Sequence, residues 1–247
     1  MNDWPVGYGR RVLDEVGSTM EEAARIGPGL ERPEWILARR QTRGRGRRGR
    51  AWTDPEGNFA ATLVMRPEGG AAEVALRSFV AALALYDALA LAVGRGSGLS
   101  LKWPNDVLLN GGKLAGILLE SSGQGGRIGH LAIGIGVNLC NAPDRVEPGA
   151  VAPVSLVGET GVRVDPEEFL DLLAPAYAQW EARFRAQGFA PIRAAWLARA
   201  ARLGEAIVAR TAREEWRGVF ETVDERGNLV LSTADGRRAI AAAEVFF

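Results

Sequence analysis

Apolar and polar positions change their period several times along the chain, and these changes mark out its elements. Residues 14–26 contain Ser18-Thr19 followed by Glu21 and Glu22. Ser18 and Glu21 stand at capping-box spacing, which predicts a helix starting there. The apolar run 35–38 predicts a short strand. Residues 41–57 lose all periodicity and are rich in Gly and Arg, so they read as a loop. A strand follows at 58–65. Residues 72–93 predict a long apolar helix, stopped by Gly94 and a Gly96-Ser97-Gly98 turn. Strand-like segments lie at 100–103, 107–109, 114–120 and 129–139, with Asn110-Gly111-Gly112 as a hairpin signal. Helices are predicted over 165–186 and 191–201. From residue 203 the pattern turns to short strands at 206–209, 216–223, 228–232 and 239–245, separated by Gly or Asp-Gly turns. No internal repeat is evident. The layout is an α+β main domain, residues 1–202, with a small β-barrel-like tail, residues 203–247, docked on it.

Composition narrows the function classes. The 247 residues carry 30 basic and 30 acidic side chains, which argues against a general polyanion binder. Only two of the basic residues are lysines, Lys102 and Lys113, eleven positions apart in a chain otherwise committed to Arg. These sites either need a compact ammonium rather than a planar guanidinium, or reflect Arg-rich composition. A lone Cys140 makes no intramolecular disulfide and no cysteine metal cluster, which fits a reducing, cytoplasmic setting. A lone His130 excludes a multi-histidine metal site and reads as structural or surface. The N-terminus has no apolar signal core. The longest apolar stretch, 79–86, falls far short of a membrane span of about 20 residues, so no membrane role is expected.

Four segments carry candidate chemistry. Gln41-Thr42-Arg43-Gly44-Arg45-Gly46-Arg47-Arg48-Gly49-Arg50 alternates bidentate phosphate or carboxylate donors with glycines that allow close backbone approach. Trp52 follows, able to stack on a flat ring. This suggests a mobile anion-binding loop; an exposed basic loop or an RNA-touching segment fits the charge as well. In Lys102-Trp103-Pro104-Asn105-Asp106 the proline pushes Trp103 toward extended geometry and aims Asn105 and Asp106; a plain strand–turn–strand is the alternative. Lys113 leads an apolar strand in which Gly116 admits a close neighbour. Gly134-Ile135-Gly136-Val137-Asn138 is glycine-rich but does not complete a dinucleotide fingerprint, since residue 139 is Leu.

Taken in order, Ser18-Thr19, Gln41 with 44–52, 102–106, 113–118 and 134–138 resemble the biotin protein ligases. The resemblance spans essentially the whole chain. It implies a mixed β-sheet catalytic domain flanked by helices, of the class II aminoacyl-tRNA synthetase and biotin ligase type, with a small C-terminal SH3-like β-barrel. It also implies that biotin and ATP, with Mg²⁺, form biotinyl-5′-AMP, and that biotin then passes to a lysine of a biotin carboxyl carrier protein. Carried over by position, Ser18, Thr19, Met20, Gln41, Gly44, Arg45, Gly46, Arg47 and Lys113 would surround biotin. Arg47, Trp52, Lys102, Asn105 and Asn138 would face the nucleotide, and Lys113, Arg47, Asp106 and Lys102 would carry the chemistry. No metal ligands are assigned. Met20 departs from the family pattern, which has Asn there. Only 17 residues precede Ser18, too few for the helix-turn-helix domain of repressor members, so no DNA role is expected. Some relatives pair through sheet edges, and the resemblance allows a homodimer. The rival readings are a lipoate–protein ligase or octanoyltransferase of the same superfamily, and a nucleic-acid-binding module built on residues 43–50.

Overall fold

A computed structural model describes residues 3–53, 55–94, 98–124, 127–143, 151–211 and 214–247. The elements run β1 (Gly9–Val16), α1 (Thr19–Ile26), β2 (Glu34–Gln41), β3 (Phe59–Met65), α2 (Ala71–Ala75), α3 (Arg77–Val93), β4 (Leu99–Lys102), β5 (Asp106–Leu109), β6 (Gly112–Gln124), β7 (Arg127–Val137), α4 (Leu156–Thr160), α5 (Pro166–Gln187) and α6 (Phe189–Leu197). They are followed by β8 (Ala206–Arg210), β9 (Glu215–Val223), β10 (Leu229–Thr233), β11 (Gly236–Ile240) and β12 (Glu244–Phe246). The first seven strands form one mixed sheet in the order β1-β2-β3-β7-β6-β5-β4. Its only parallel pair is β1 with β2. The last five form an antiparallel sheet in the order β11-β10-β9-β8-β12.

The period-two rule sorts the large sheet's residues between two faces. Trp35, Leu37, Phe59, Leu63 and Ile133 join the main core against α3, α5 and α6. Ile36, Val64 and Ala132 point the other way and pack with Met20 and Ala23 of α1. Beyond α1 this second face is bare of bulk. Ala38, Ala60, Gly136, Gly116, Asp106 and Lys102 stand in register across six strands. A row of small residues thus leads to one carboxylate and one ammonium.

Several expectations change in detail. β1 has little apolar alternation because it is an edge strand with partly exposed sides, and α4 is too short to show a period. The helix expected over 72–93 is divided at Leu76, whose N–H bonds Glu73 O in a tightened turn. The single strand expected at 239–245 is two strands, β11 and β12. The capping box is half made. Ser18 Oγ accepts from Met20 N, while Glu21 turns away to Arg43. Of the predicted 96–98 turn, only Gly98 lies within the described residues. His130 is buried; a Cβ on Gly27 would overlap its ring, so the imidazole acts as packing. The stretch Ala71–Val93 does satisfy the length and apolarity of a membrane span, but 61% of its apolar window is buried against the rest of the molecule.

Inside the helical layer, Arg77 of α3 pairs with Glu181 of α5 through contacts of 2.8 and 3.1 Å, both side chains nearly inaccessible. Removing one partner of such a pair leaves an uncompensated buried charge. Arg77→Met should therefore lower unfolding free energy by about 3–5 kcal/mol in denaturant titration, with most of the loss recovered in the Arg77→Met/Glu181→Leu double variant.

Candidate active site

The bare sheet face floors a cavity of about 520 Å³. Its walls come from α1, the 41–53 loop, the β4–β5 turn, the start of β6, and β12 of the C-terminal sheet. All the residues expected at the site line it except Gly44. Gly44 lies behind the wall, where its carbonyl accepts from Trp52 N and a Cβ would press on Trp52 O. That glycine closes the base of the loop.

At one end the groups are neutral and polar. Gln41 Oε1 accepts from Thr19 N at 2.9 Å and from Thr19 Oγ1 at 3.0 Å. Thr19 Oγ1 in turn accepts from Thr62 Oγ1 at 2.8 Å. Ser18, Thr19 and Met20 are all buried, held by the first turn of α1. The Met20 sulfur lies over Gly134 of β7, where a Cβ would crowd it at 2.8 Å. An apolar thioether therefore stands where the resemblance implied an Asn.

The other end is charged. The Trp103–Pro104 bond is cis, and Trp103 Nε1 donates to Gly227 O, fixing the β4–β5 turn to the C-terminal sheet. Asn105 Nδ2 donates to Ile117 O at 2.6 Å, and Asn105 Oδ1 accepts from Arg47 Nη1 at 3.2 Å. Both lysines converge on Asp106. Lys113 Nζ lies 2.8 Å from Oδ1, and Lys102 Nζ 4.0 Å from Oδ2. The Lys113 contact is an ion pair, and buried Oδ1 has no hydrogen-bond donor among the described residues. Burial lowers the Lys102 pKa from the ordinary lysine value, opposed by Asp106 and reinforced by Lys113. Burial lowers that of Arg47 likewise, again opposed by Asp106. Asn138 spends its amide on the Val154 and Lys113 carbonyls, so it clips the 151–154 segment beside Lys113 while lining the cavity.

Between the two ends lies Trp52. Its indole rests directly on Gly136 and Gly116, and a Cβ on Gly136 would overlap it. Lys113 Nζ sits 5.9 Å from the ring centroid. The Gly–Arg loop is fastened at several points: Arg43 to Glu21, Arg45 to Glu120, Arg47 to Asn105, and Arg48 and Arg50 to Glu244. Burial pushes the Glu244 carboxyl up, but the Arg50 hydrogen bond and the charges of Arg50, Arg48 and Arg47 outweigh it and hold the group below its ordinary value.

Residues 16–138 match the Biotin/lipoate A/B protein ligase family, and residues 203–247 match the Biotin protein ligase C terminal domain. A biotin–[acetyl-CoA-carboxylase] ligase of Paracoccus denitrificans is 63% identical over 96% of this chain and 99% of its own length. The chain belongs to this ligase family. A biotin–[acetyl-CoA-carboxylase] ligase of Mycobacterium tuberculosis is 30% identical over 97% of the chain and 90% of its own. The biotin protein ligase of Aquifex aeolicus, solved in complex with biotin and ATP, superposes with a TM-score of 0.80 at 26% identity, covering 96% and 97% of the two chains.

Relative to this ligase-family frame, sequence reasoning missed Thr62, Glu120 and Glu244. Thr62 had a readable signal as the one hydroxyl in the apolar run Phe59–Met65. Glu120 and Glu244 had none, because each is a surface-type acid made relevant by a loop distant in sequence. The Cys140 backbone N–H bonds Asn58 Oδ1, and its sulfur faces Gly57.

The seat of Trp52 on bare glycine is testable. Gly136→Ala should push the indole off the floor and loosen the loop. Trypsin cleavage after Arg43–Arg50 should then rise several-fold without ligand while the melting temperature stays near wild type. Unchanged cleavage would show that the ion pairs alone hold the loop.

Proposed function

We propose that this chain joins biotin to ATP, releasing pyrophosphate, and passes the biotinyl group from biotinyl-5′-AMP to a lysine of a biotin carboxyl carrier protein. The observation that carries the reading is the division of one cavity into a neutral hydrogen-bonding end and a cationic end. Biotin has the same division: a cyclic urea at one end and a carboxylate at the other. A lipoyl dithiolane offers no hydrogen-bonding atom to the Ser18–Thr19–Gln41 end, whereas the biotin urea offers a carbonyl and two N–H groups. The nucleic-acid reading loses support because the loop arginines, though partly exposed, are each paired with a carboxylate or with Asn105.

In the first step a biotin carboxylate oxygen attacks the α-phosphorus, and the bond to the bridging oxygen of pyrophosphate breaks. Two anions must approach, so Lys113 and Arg47 at the cationic end lower the repulsion and stabilise the charge of the transition state. Arg45 and Gly46 belong to the loop segment that lies over the ligand. Among the described residues no three acids, histidines or cysteines gather into a metal cage, and Asp106 is already engaged by both lysines. Mg²⁺, bound together with ATP, would offset phosphate charge beside Lys113 and Arg47. Trp52 and the loop exclude water from the mixed anhydride. In the second step the acceptor amine attacks the acyl carbon, the carbon–oxygen bond to AMP breaks, and one proton leaves the nitrogen. Asp106, between both lysines at the cationic end, orients that amine or takes its proton. Lys102, Asn105 and Asn138 shape the nucleotide side. Catalysis belongs to residues 1–202, and the 203–247 module supplies Glu244, Val245 and Phe246 to the wall.

Purified protein with biotin and Mg–ATP should release pyrophosphate and form biotinyl-AMP, whereas lipoate should not replace biotin; preferential use of lipoate would reverse the reading. Lys113→Arg should slow adenylate formation ~10²-fold, as for loss of one oriented electrostatic stabiliser. Asp106→Asn should slow transfer from preformed biotinyl-AMP far more than its formation. Wild-type transfer by that variant would remove Asp106 from the second step.

A further inference from the structure

The hydroxyl directions around Thr19 are fixed by one backbone group. Thr19 N is a donor only, and it lies 2.9 Å from the Gln41 side chain, so the atom facing it must be the amide oxygen. Thr19 Oγ1, 3.0 Å from the same oxygen, must then donate its proton to it. Thr62 Oγ1, 2.8 Å from Thr19 Oγ1, must donate in turn, because the Thr19 proton is already spent. A hydroxyl has one proton and two lone pairs. With the proton on Gln41 and one lone pair on Thr62, Thr19 keeps a single lone pair for a ligand. Ser18 Oγ, which accepts from Met20 N, keeps its proton to give.

Thr62 itself is fully buried and does not line the cavity. It sits on β3 opposite Gly134, a position where an aliphatic residue would serve the sheet as well. A hydroxyl there has a cost unless it does something.

We infer that Thr62 is a positioning residue for the ring end of the site: by donating to Thr19 Oγ1 it holds that hydroxyl in the rotamer that gives its proton to Gln41 and leaves one lone pair for a ring N–H of the biotin urea. This rests on the biotin reading above. Thr62 never meets the ligand; it fixes the rotamer of Thr19 and occupies one of its lone pairs. Selectivity for a urea N–H over an isosteric ring oxygen follows, because Thr19 has no proton left to offer that oxygen.

The test uses the full chain and two substrates: biotin, and the cyclic carbamate analogue in which one ring N–H is replaced by oxygen. For Thr62→Val the KM for biotin should rise about tenfold, the scale of one misplaced hydrogen bond. The KM for ATP and kcat at saturating biotin should stay within about twofold. The preference of wild type for biotin over the carbamate should shrink in Thr62→Val and return in Thr62→Ser. A role limited to packing would instead lower the melting temperature and kcat without moving that preference, and this result overturns the inference. If Thr62→Val does not fold, Thr62→Ser and wild type still decide, because equal use of biotin and carbamate by both would overturn it. Wild-type protein that forms no biotinyl-AMP would overturn the biotin reading and this inference with it. Normal adenylation with an unchanged biotin KM in Thr62→Val would overturn the inference alone.

Discussion

Neighbouring strands lie about 4.8 Å apart, and their side chains stand out from the sheet, so a sheet is normally too rough to lay a flat ligand on. Here Ala60, Gly136 and Gly116 stand in register on three adjacent strands, and the row ends at Asp106 and Lys102. Everything else about the site depends on that smooth strip. α1 covers one end of the same face and contributes hydroxyls. The Gly–Arg loop crosses above it. The indole of Trp52 lies directly on it because no Cβ stands in the way. The opposite face carries the helices and the core, so the strip can stay bare without losing the burial that holds the domain together.

The strip also explains the lysines. Only two residues in the chain carry an ε-ammonium, and both reach the one carboxylate at its end. A guanidinium brings a planar fork of donors and needs room to lie flat. A compact ammonium fits between the floor, the Trp52 ring and Asp106. Arginines occupy the loop instead, where they reach Glu21, Glu120, Asn105 and, as a pair, Glu244. Steric space separates the two kinds of cation. The rarity of Lys in the composition is thus concentrated where space is tightest.

Much of this was legible from residue order. The Ser18-Thr19 cap, the aperiodic loop 41–57, the Asn110-Gly111 hairpin and the long buried helix follow from local pattern, because local backbone preference and tertiary packing agree there. The order of motifs brought together nearly the whole cavity lining. What the pattern missed shares a physical cause. β1 is an edge strand whose sides are only partly buried, so it shows little alternation. Glu120 and Glu244 matter only through loop arginines far away in sequence. Thr62 was visible as a hydroxyl in an apolar strand, but its direction of donation depends on Thr19 and Gln41, which only folding sets beside it. Gly44 was assigned to the biotin wall by position and instead closes the base of the loop from behind.

The fastening of the loop to Glu21, Glu120 and Glu244 has a consequence for anion traffic. The site contains its own counter-ions, tethered and close at hand. A stray phosphate or an acidic peptide arriving from solution competes with carboxylates held at high local concentration and gains little by displacing them. A ligand that also fills the ring end and lies on the glycine floor brings enough additional contact to win the exchange. A strongly basic loop thus carries its acidic partners with it, in a protein of zero net charge.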